Sequence, residues 1–397
     1  MDIYLLDWAN LLLRWAHVIT AIAWIGSSFY FVFLDNSLTA PLAPELRDKG
    51  VTGELWAVHG GGFYHPQKYL VAPKQMPAQL HWFYWESYST WLTGFALFTV
   101  LYLFNAGSFL IDKSVHDWSA DAAIAASLGF LVVCWFVYDT ICRTFGQKKH
   151  GDLIVGLGVL VFVVFASWLA CQLFAGRAAF LLVGAMLATT MSANVFVWII
   201  PGQRKVVAQL EAGQPVDPVL GWRAKQRSVH NTYFTLPVLV SMLSNHYGWL
   251  YSGKHNWIVL VLLMLAGALI RHSFVARHKA LVQGRRVPWE HAIVGTLALV
   301  GVAFWLAPRP AGTVVAKPLA FGDVKAVVDQ RCAMCHNAAL QQKGVALHTP
   351  ELVKQHAQAV FQQVVVLKLM PLNNATQISD EERALIKRWF EAGAPLD

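Results

Sequence analysis

Five consecutive residues near the C-terminus have the types and the spacing for one particular chemistry. Cys332-Ala333-Met334-Cys335-His336 sets two thiols three residues apart, with an imidazole directly after the second. On a short helical turn both thiols can reach the two vinyl groups of one porphyrin while the imidazole meets its iron. That is the signature of covalent c-type haem attachment. A zinc half-site or a redox dithiol would use the same two Cys, but zinc wants a second ligand pair. No other Cys lies in this part of the chain, and His348 and His356 stand at irregular spacing. Cys332 and Cys335 are therefore expected to bind haem c, with His336 as one axial ligand. The other axial ligand is expected downstream. Met370, 34 residues after His336 and directly before Pro371, is favoured over His348 and His356.

The elements that would position this group follow from composition. The chain is 56% hydrophobic and only 14% charged, against roughly 25% charged in an ordinary soluble domain. A membrane-embedded part with a soluble part attached is the implied class. A span needs about 20 mostly apolar residues. Eight stretches qualify: 10–34, 83–106, 120–138, 153–174, 178–200, 231–251, 257–275 and 290–307. Lipid offers the backbone no hydrogen bonds, so helices are expected there rather than strands. Asp2 and Asp7, with no Lys or Arg before the first stretch, make that stretch a retained span rather than a signal peptide. Loops 35–82, 139–152, 201–230 and 276–289 together hold 16 Lys and Arg, and the opposite set holds 3. Basic loops stay in the cytoplasm, so both chain ends are expected outside, in the periplasm of a bacterial inner membrane. The net charge of +8 is thereby assigned to topology, and nucleic acid is not an expected partner.

Residues 1–307 form the expected membrane domain. Pro308-Arg309-Pro310-Ala311-Gly312 reads as a stop and opens a linker over 308–314. Residues 315–397 regain charge and helical periodicity. A unit this small is short of core, and a haem would supply one. Ser379 with Glu382 has capping-box spacing ahead of Leu385, Ile386, Trp389 and Phe390. That last helix and the Met370-Pro371 loop resemble those of class I cytochromes c. The expected fold class is all-α: an eight-helix transmembrane bundle followed by a small class I cytochrome c domain.

Ionisable residues inside spans are functional candidates by default. Arg14 and His17 lie three apart on the first span, hence on one face, and His246 lies at similar depth in the sixth. His17 and His246 are expected to hold a non-covalent haem b, with Arg14 on a propionate. A common alternative is that such a His simply bonds a neighbouring helix. A second layer lies at the inner surface: His81, Glu86, His230, Arg271, His272, Glu290 and His291.

The first span, with Arg14-Trp15-Ala16-His17 and Ala23-Trp24-Ile25-Gly26, resembles that of the HemJ-type porphyrinogen oxidases. A resemblance over nearly the whole chain is carried by this span, by the stretch Glu54-Leu55-Trp56-Ala57-Val58-His59-Gly60-Gly61-Gly62-Phe63-Tyr64, by Leu80-His81-Trp82-Phe83-Tyr84-Trp85-Glu86, and by the C-terminal CxxCH unit. Together they resemble the PuuD family, the membrane-bound, cytochrome c-linked urate oxidases (urate hydroxylases). The resemblance implies oxidation of urate to 5-hydroxyisourate in purine catabolism, with electrons passing to the haem instead of O₂. A soluble cytochrome c or a terminal oxidase would then accept them. Urate is a planar anion that needs a cationic edge, an aromatic face and a base. Lys74, His81 and Glu86 are the expected catalytic residues, with Gln79 and Trp82 beside them. A donor-linked cytochrome subunit, fed by quinol, or a non-catalytic transporter or sensor bundle would share the same architecture.

Overall fold

A computed structural model describes residues 3–69, 72–73, 76–307 and 319–397. Helix α1 (Ile3–Ser37) and the short α2 (Pro44–Asp48) lead into strands β1 (Val51–Glu54), β2 (Ala57–His59), β3 (Gly62–Tyr64) and β4 (Gln67–Tyr69). β1 pairs antiparallel with β4, and β2 with β3. Gly60 and Gly61, between β2 and β3, both have positive φ, the conformation that a two-residue hairpin turn demands. These strands depart from the all-α expectation. They sit in a polar connection outside every apolar stretch, where the constraint that favours helices in lipid does not apply.

Helix α3 (Trp85–Phe98) continues as a π segment over Thr99–Leu103, followed by α4 (Ala106–Phe109). α5 (Ala120–Phe145) starts at the Ser119 N-cap, whose hydroxyl accepts from the Ala122 N–H. α6 (Gly151–Leu173) and α7 (Gly176–Ala193) follow. A π segment, Asn194–Ile199, joins α7 to α8 (Ile200–Glu211). α9 (Pro218–Leu243) ends in 3₁₀ turns at Ser244–His246 and Gly248–Leu250. α10 (Asn256–Val282) and α11 (Glu290–Trp305) complete this part.

Helix thus occupies each of the eight expected stretches. Among the described residues, five helical runs are long and apolar enough to cross a membrane: α1, α5, α6, α7 with α8, and α10. Several expected boundaries need correction. α5 runs past residue 138 to Phe145 because Asp139, a charge that appeared to end the apolar run, is answered by Arg227 of α9. α9 begins at Pro218 rather than residue 231. Asp217 caps it through the Val219 N–H, and Pro218 suits the first helical position. Its upper end falls at Leu243 rather than residue 251. The expected 178–200 span continues to Glu211, and 257–275 continues to Val282.

The C-terminal residues build a separate hydrophobic core. α12 (Phe321–Arg331), α13 (Pro350–Gln355), α14 (Ala357–Val360) and α15 (Asp380–Glu391) enclose Val324, Val328, Val353, Ile386 and Trp389. Phe321 and Trp389 meet across α12 and α15 at 5.9 Å. The Ser379–Glu382 capping box is present. The expected linker, 308–314, lies outside the described residues.

This second core rests on one end of the apolar helices. Lys343 Nζ is 2.7 Å from Asp7 at the start of α1. Asn373 donates to the Ser108 carbonyl in α4, at 2.5 Å. Gly248 packs so tightly that a Cβ there would collide with the Leu367 carbonyl. All three contacts fall on the end of the bundle that carries the N-terminus.

Candidate functional site

The CxxCH residues leave α12 as a tight turn. Cys332 N–H donates to Val328 O at 2.8 Å, and the Cys335 and His336 N–H groups both reach Cys332 O at 3.1 Å. Cys332 is buried and Cys335 exposed. Burial pushes the Cys332 thiol up to about 11, so the free side chain is a neutral thiol. His336 Nδ1 lies 3.0 Å from Val345 O. Donation to that carbonyl fixes the ring and leaves Nε2 as the metal-binding nitrogen. Met370 packs against the same core. Its backbone is held by Arg383, which donates to Met370 O at 3.0 Å and also to Val364 O. Arg331 clamps Glu382 through Nε and Nη2, at 3.1 and 3.0 Å from Oε1. Burial alone would raise the Glu382 carboxyl, but the Ser379 N–H and Arg331 outweigh it and hold it below the usual range. The cap, the clamp and Arg383 together tie α12, α15 and the Met370 segment into one frame.

Within the apolar helices the expected residues are distributed differently. His17 Nδ1 is 3.1 Å from Thr90 O and 3.3 Å from Thr93 Oγ1 on α3. Its ring lies so close to Gly94 that a Cβ there would come within 2.7 Å of Cε1. Arg14 donates to Asn10 Oδ1. His246 is exposed in the turn after α9. Among the described residues no hydrogen bond or ring contact joins His17 to His246. His81 is exposed and rests on Phe83 at 4.6 Å, and Phe83 meets Phe31 of α1 at 4.8 Å. Glu86 occupies the first turn of α3. Lys74 lies outside the described residues.

The β segment before α3 is braced by its own contacts. Trp56 stacks on His65 at 4.0 Å, and His65 Nε2 lies 2.6 Å from Glu54. The Leu42 N–H, then His65, hold the Glu54 carboxyl below its ordinary value.

Two buried polar clusters between the helices were only partly legible from the sequence. In the first, Tyr138 Oη is 2.7 Å from His230 Nδ1, and Asn194 donates to both Tyr138 Oη and Asn231 Oδ1 at 3.0 Å. Beside it Asp139 Oδ1 accepts from Arg227 Nη2 at 2.7 Å and from Trp198 Nε1 at 2.8 Å. Asn194 and Trp198 both belong to the π segment, a local irregularity often found at functional sites. Hydropathy carries no signal for it.

The second cluster adjoins Arg271 on α10. Tyr233 Oη lies 2.7 Å from His272 Nδ1, and the His272 and His291 rings are 4.4 Å apart. Arg271 faces the other way, over the Phe29 ring at 3.6 Å. It looks into a cavity of about 470 Å³ between α1, α9 and α10.

An aromatic file runs along α3 toward the docked core. Trp91 stacks on Phe95 at 5.2 Å, Phe95 meets Phe98 at 6.5 Å, Phe98 stacks on Tyr102 at 5.5 Å, and Tyr102 meets Phe109 at 5.5 Å. Phe109 belongs to α4, the helix whose Ser108 carbonyl receives Asn373.

Fold and site together describe a largely helical protein with membrane-length apolar helices and buried polar clusters between them. Residues 3–307 match the family described as Urate oxidase N-terminal, and the chain belongs to that family. The family ties it to the oxidation of urate. No curated relative and no solved structure matches the chain.

Proposed function

We propose that the chain is a membrane-bound oxidoreductase that converts urate to 5-hydroxyisourate and hands the electrons to its own c-type haem instead of O₂. The observation that carries this is the pairing of two features in one chain. A member of the urate oxidase family bears a CxxCH core docked on the ends of its apolar helices.

The donors fit such a haem. Cys332 and Cys335 flank one turn, His336 has its ring fixed by Val345 O, and Met370 stands in the same core. These four residues would hold the group, the thiols covalently and His336 and Met370 on the iron. A thioether ligand raises the potential relative to two imidazoles. When bound, the haem accepts one electron at a time.

The reaction balances with water as the oxygen source. Urate and H₂O give 5-hydroxyisourate, two protons and two electrons; a C–O bond forms at C5. The chain must therefore bind a planar anion, admit one water, and carry off two protons and two electrons. At about 1.5 Å per residue, His17 lies about 18 Å along α1 from Phe29 and about 15 Å from Asp7. The Trp91-to-Phe109 file spans the same depth toward the docked face. That file supports a route through protein side chains. No step is assigned to a haem b.

Loop charge puts the docked core outside a bacterial inner membrane, where a soluble cytochrome c or a terminal oxidase would take the electrons onward. His81 and Glu86, with Lys74, remain candidates for handling urate at the inner surface.

An anaerobic absorption spectrum of the purified protein, before and after urate, tests the reading. Urate should reduce the c-type haem with no peroxide formed. Reduction by quinol alone would make the chain a donor-linked cytochrome subunit, and ligand uptake without reduction would make it a transporter or sensor. Replacing both Cys332 and Cys335 with Ala should abolish haem staining after denaturing electrophoresis.

A further inference from the structure

The Arg271 cavity has the parts of an anion site that its surroundings leave unfilled. Arg271 is 7% exposed, and its Nε and Nη2 have no hydrogen-bond partner among the described residues. A buried cation normally finds a carboxylate, because desolvating it alone is costly. Arg227 on the neighbouring α9 does so, with Asp139 at 2.7 Å. Arg271 instead lies flat on Phe29, 3.6 Å from the ring centroid, an arrangement that suits a weakly hydrated guanidinium. The cavity beside it, about 470 Å³, falls in the range of small-molecule pockets, about 300–1,000 Å³. Phe33, Phe274, Leu236 and His278 complete the walls, and His278 packs edge-on against Phe33 at 5.0 Å.

We propose that this cavity binds a planar heteroaromatic anion, with Arg271 on its charged edge and the phenylalanine rings on its faces. Given the urate reading above, on which the assignment rests, the occupant is urate. The wall chemistry favours a flat ring over a tetrahedral phosphate. A phosphate would engage Arg271 but gain nothing from the Phe33 and Phe274 rings, whereas a purine gains from both.

The test uses full-length holoprotein in nanodiscs, with the haem reduced beforehand so that bound urate cannot turn over. Urate binding is measured by equilibrium dialysis under argon. Arg271→Met should weaken binding about tenfold or more, with covalent haem content and thermal unfolding unchanged. Phe274→Trp, which keeps the charge and fills the space, should weaken binding as well. Normal urate binding in both variants overturns the site. Nanodiscs of phosphatidylcholine and of phosphatidylglycerol separate the other source of an anion. If phosphatidylglycerol competes with urate in the wild type and not in Arg271→Met, the residue serves a lipid headgroup and the proposal fails. If wild-type protein neither binds nor oxidises urate, the urate reading itself falls. If it oxidises urate while both variants match it, only this site falls.

Discussion

Two buried arginines on adjacent helices have opposite surroundings. Arg227 is bonded to Asp139 through Nη2 and lies 5.1 Å from the Trp198 ring and 5.5 Å from the Tyr138 ring. Arg271 has an aromatic ring beneath it, two unpaired nitrogens and a cavity in front. The first arrangement is closed: its charge is already neutralised by the protein. The second is open, and an open charge in a low-dielectric setting is favourable once an anion arrives. Residue type is the same in both, and both side chains are buried. What separates a structural arginine from a binding one here is the presence of Asp139 on the facing helix.

Breaking the closed pair should have the largest effect on stability. Arg227→Met leaves buried Asp139 with the Trp198 N–H and only the more distant, exposed Arg143 at 3.9 Å. Loss of one partner from such a pair costs about 3–5 kcal/mol, measurable by thermal or denaturant unfolding in detergent. Asp139→Asn should fall in the same range, and the double variant should recover part of the loss. Arg271→Met removes a charge with no carboxylate partner, so unfolding should be unchanged or slightly delayed. Equal destabilisation by Arg227→Met and Arg271→Met would erase the contrast and make Arg271 a packing residue.

A third buried arginine sharpens the comparison outside the apolar helices. Arg383 is answered by carbonyls: Met370 O at 3.0 Å, and Val364 O. Arg383→Met would leave two carbonyls short of a donor, a loss of about 2 kcal/mol. It should also loosen the Met370 segment. The weak absorption band of a sulfur-to-iron bond should then diminish, while covalent haem content stays constant. An intact band would show that Met370 is positioned by other contacts, or is not the ligand.

How much of this was legible in the sequence depended on how local the chemistry is. The CxxCH turn, the capping box and the Met-Pro segment are short, and neighbouring residues define them. The apolar stretches were legible because 20 or so residues vote together. The helix extents were not, since Asp139 and Arg227 look like loop charges until one helix is set against the other. The π segment at Asn194–Ile199 has no periodic signature, and it is what aims Asn194 and Trp198 at α5. Arg271, His272 and His291 could be flagged as ionisable residues near the inner surface. The cavity could not be, because Phe29, Leu236 and His278 come from three helices far apart in the chain. The pairing of His17 with His246 rested on matched depth and on Arg14 one turn away, and the hydrogen bonds of His17 to Thr90 and Thr93 on α3 could not be read from either.

A smaller effect is expected from the frame around the CxxCH turn. Ser379→Ala removes an N-cap, a cost of about 1 kcal/mol. Glu382→Gln weakens both the capping box and the Arg331 clamp. The Glu382 carboxyl is held below its unfolded value, so the folded state binds fewer protons there than the unfolded chain does. Its contribution is therefore full above the ordinary glutamate pKa of about 4.3 and is lost as pH falls through the lower, folded value. Unfolding of the C-terminal core, followed by haem absorbance, should lose less stability on acidification in Glu382→Gln than in the parent. An identical acid profile would show that Glu382 does not drive this dependence.

The smallest effect should come from the ion pair that joins the two cores. Asp7 and Lys343 approach to 2.7 Å, but their side chains are 54% and 75% exposed. Water screens such pairs, and most contribute about 0–1 kcal/mol. Salt weakens them further, since the screening length at physiological ionic strength is about 8 Å. Lys343→Ala should therefore leave urate-driven haem reduction within about twofold of the parent, and the difference should vanish as salt is raised. Docking rests instead on uncharged contacts. Gly248 lies against the Leu367 carbonyl, with no room for a methyl group, and Asn373 bonds the Ser108 carbonyl beside Phe109. Gly248→Ala should slow haem reduction far more than Lys343→Ala does, with urate affinity unchanged and no relief at high salt. If Lys343→Ala is instead the more damaging, and salt reproduces its effect in the parent, the two cores are held together by charge and the close fit at Gly248 is incidental.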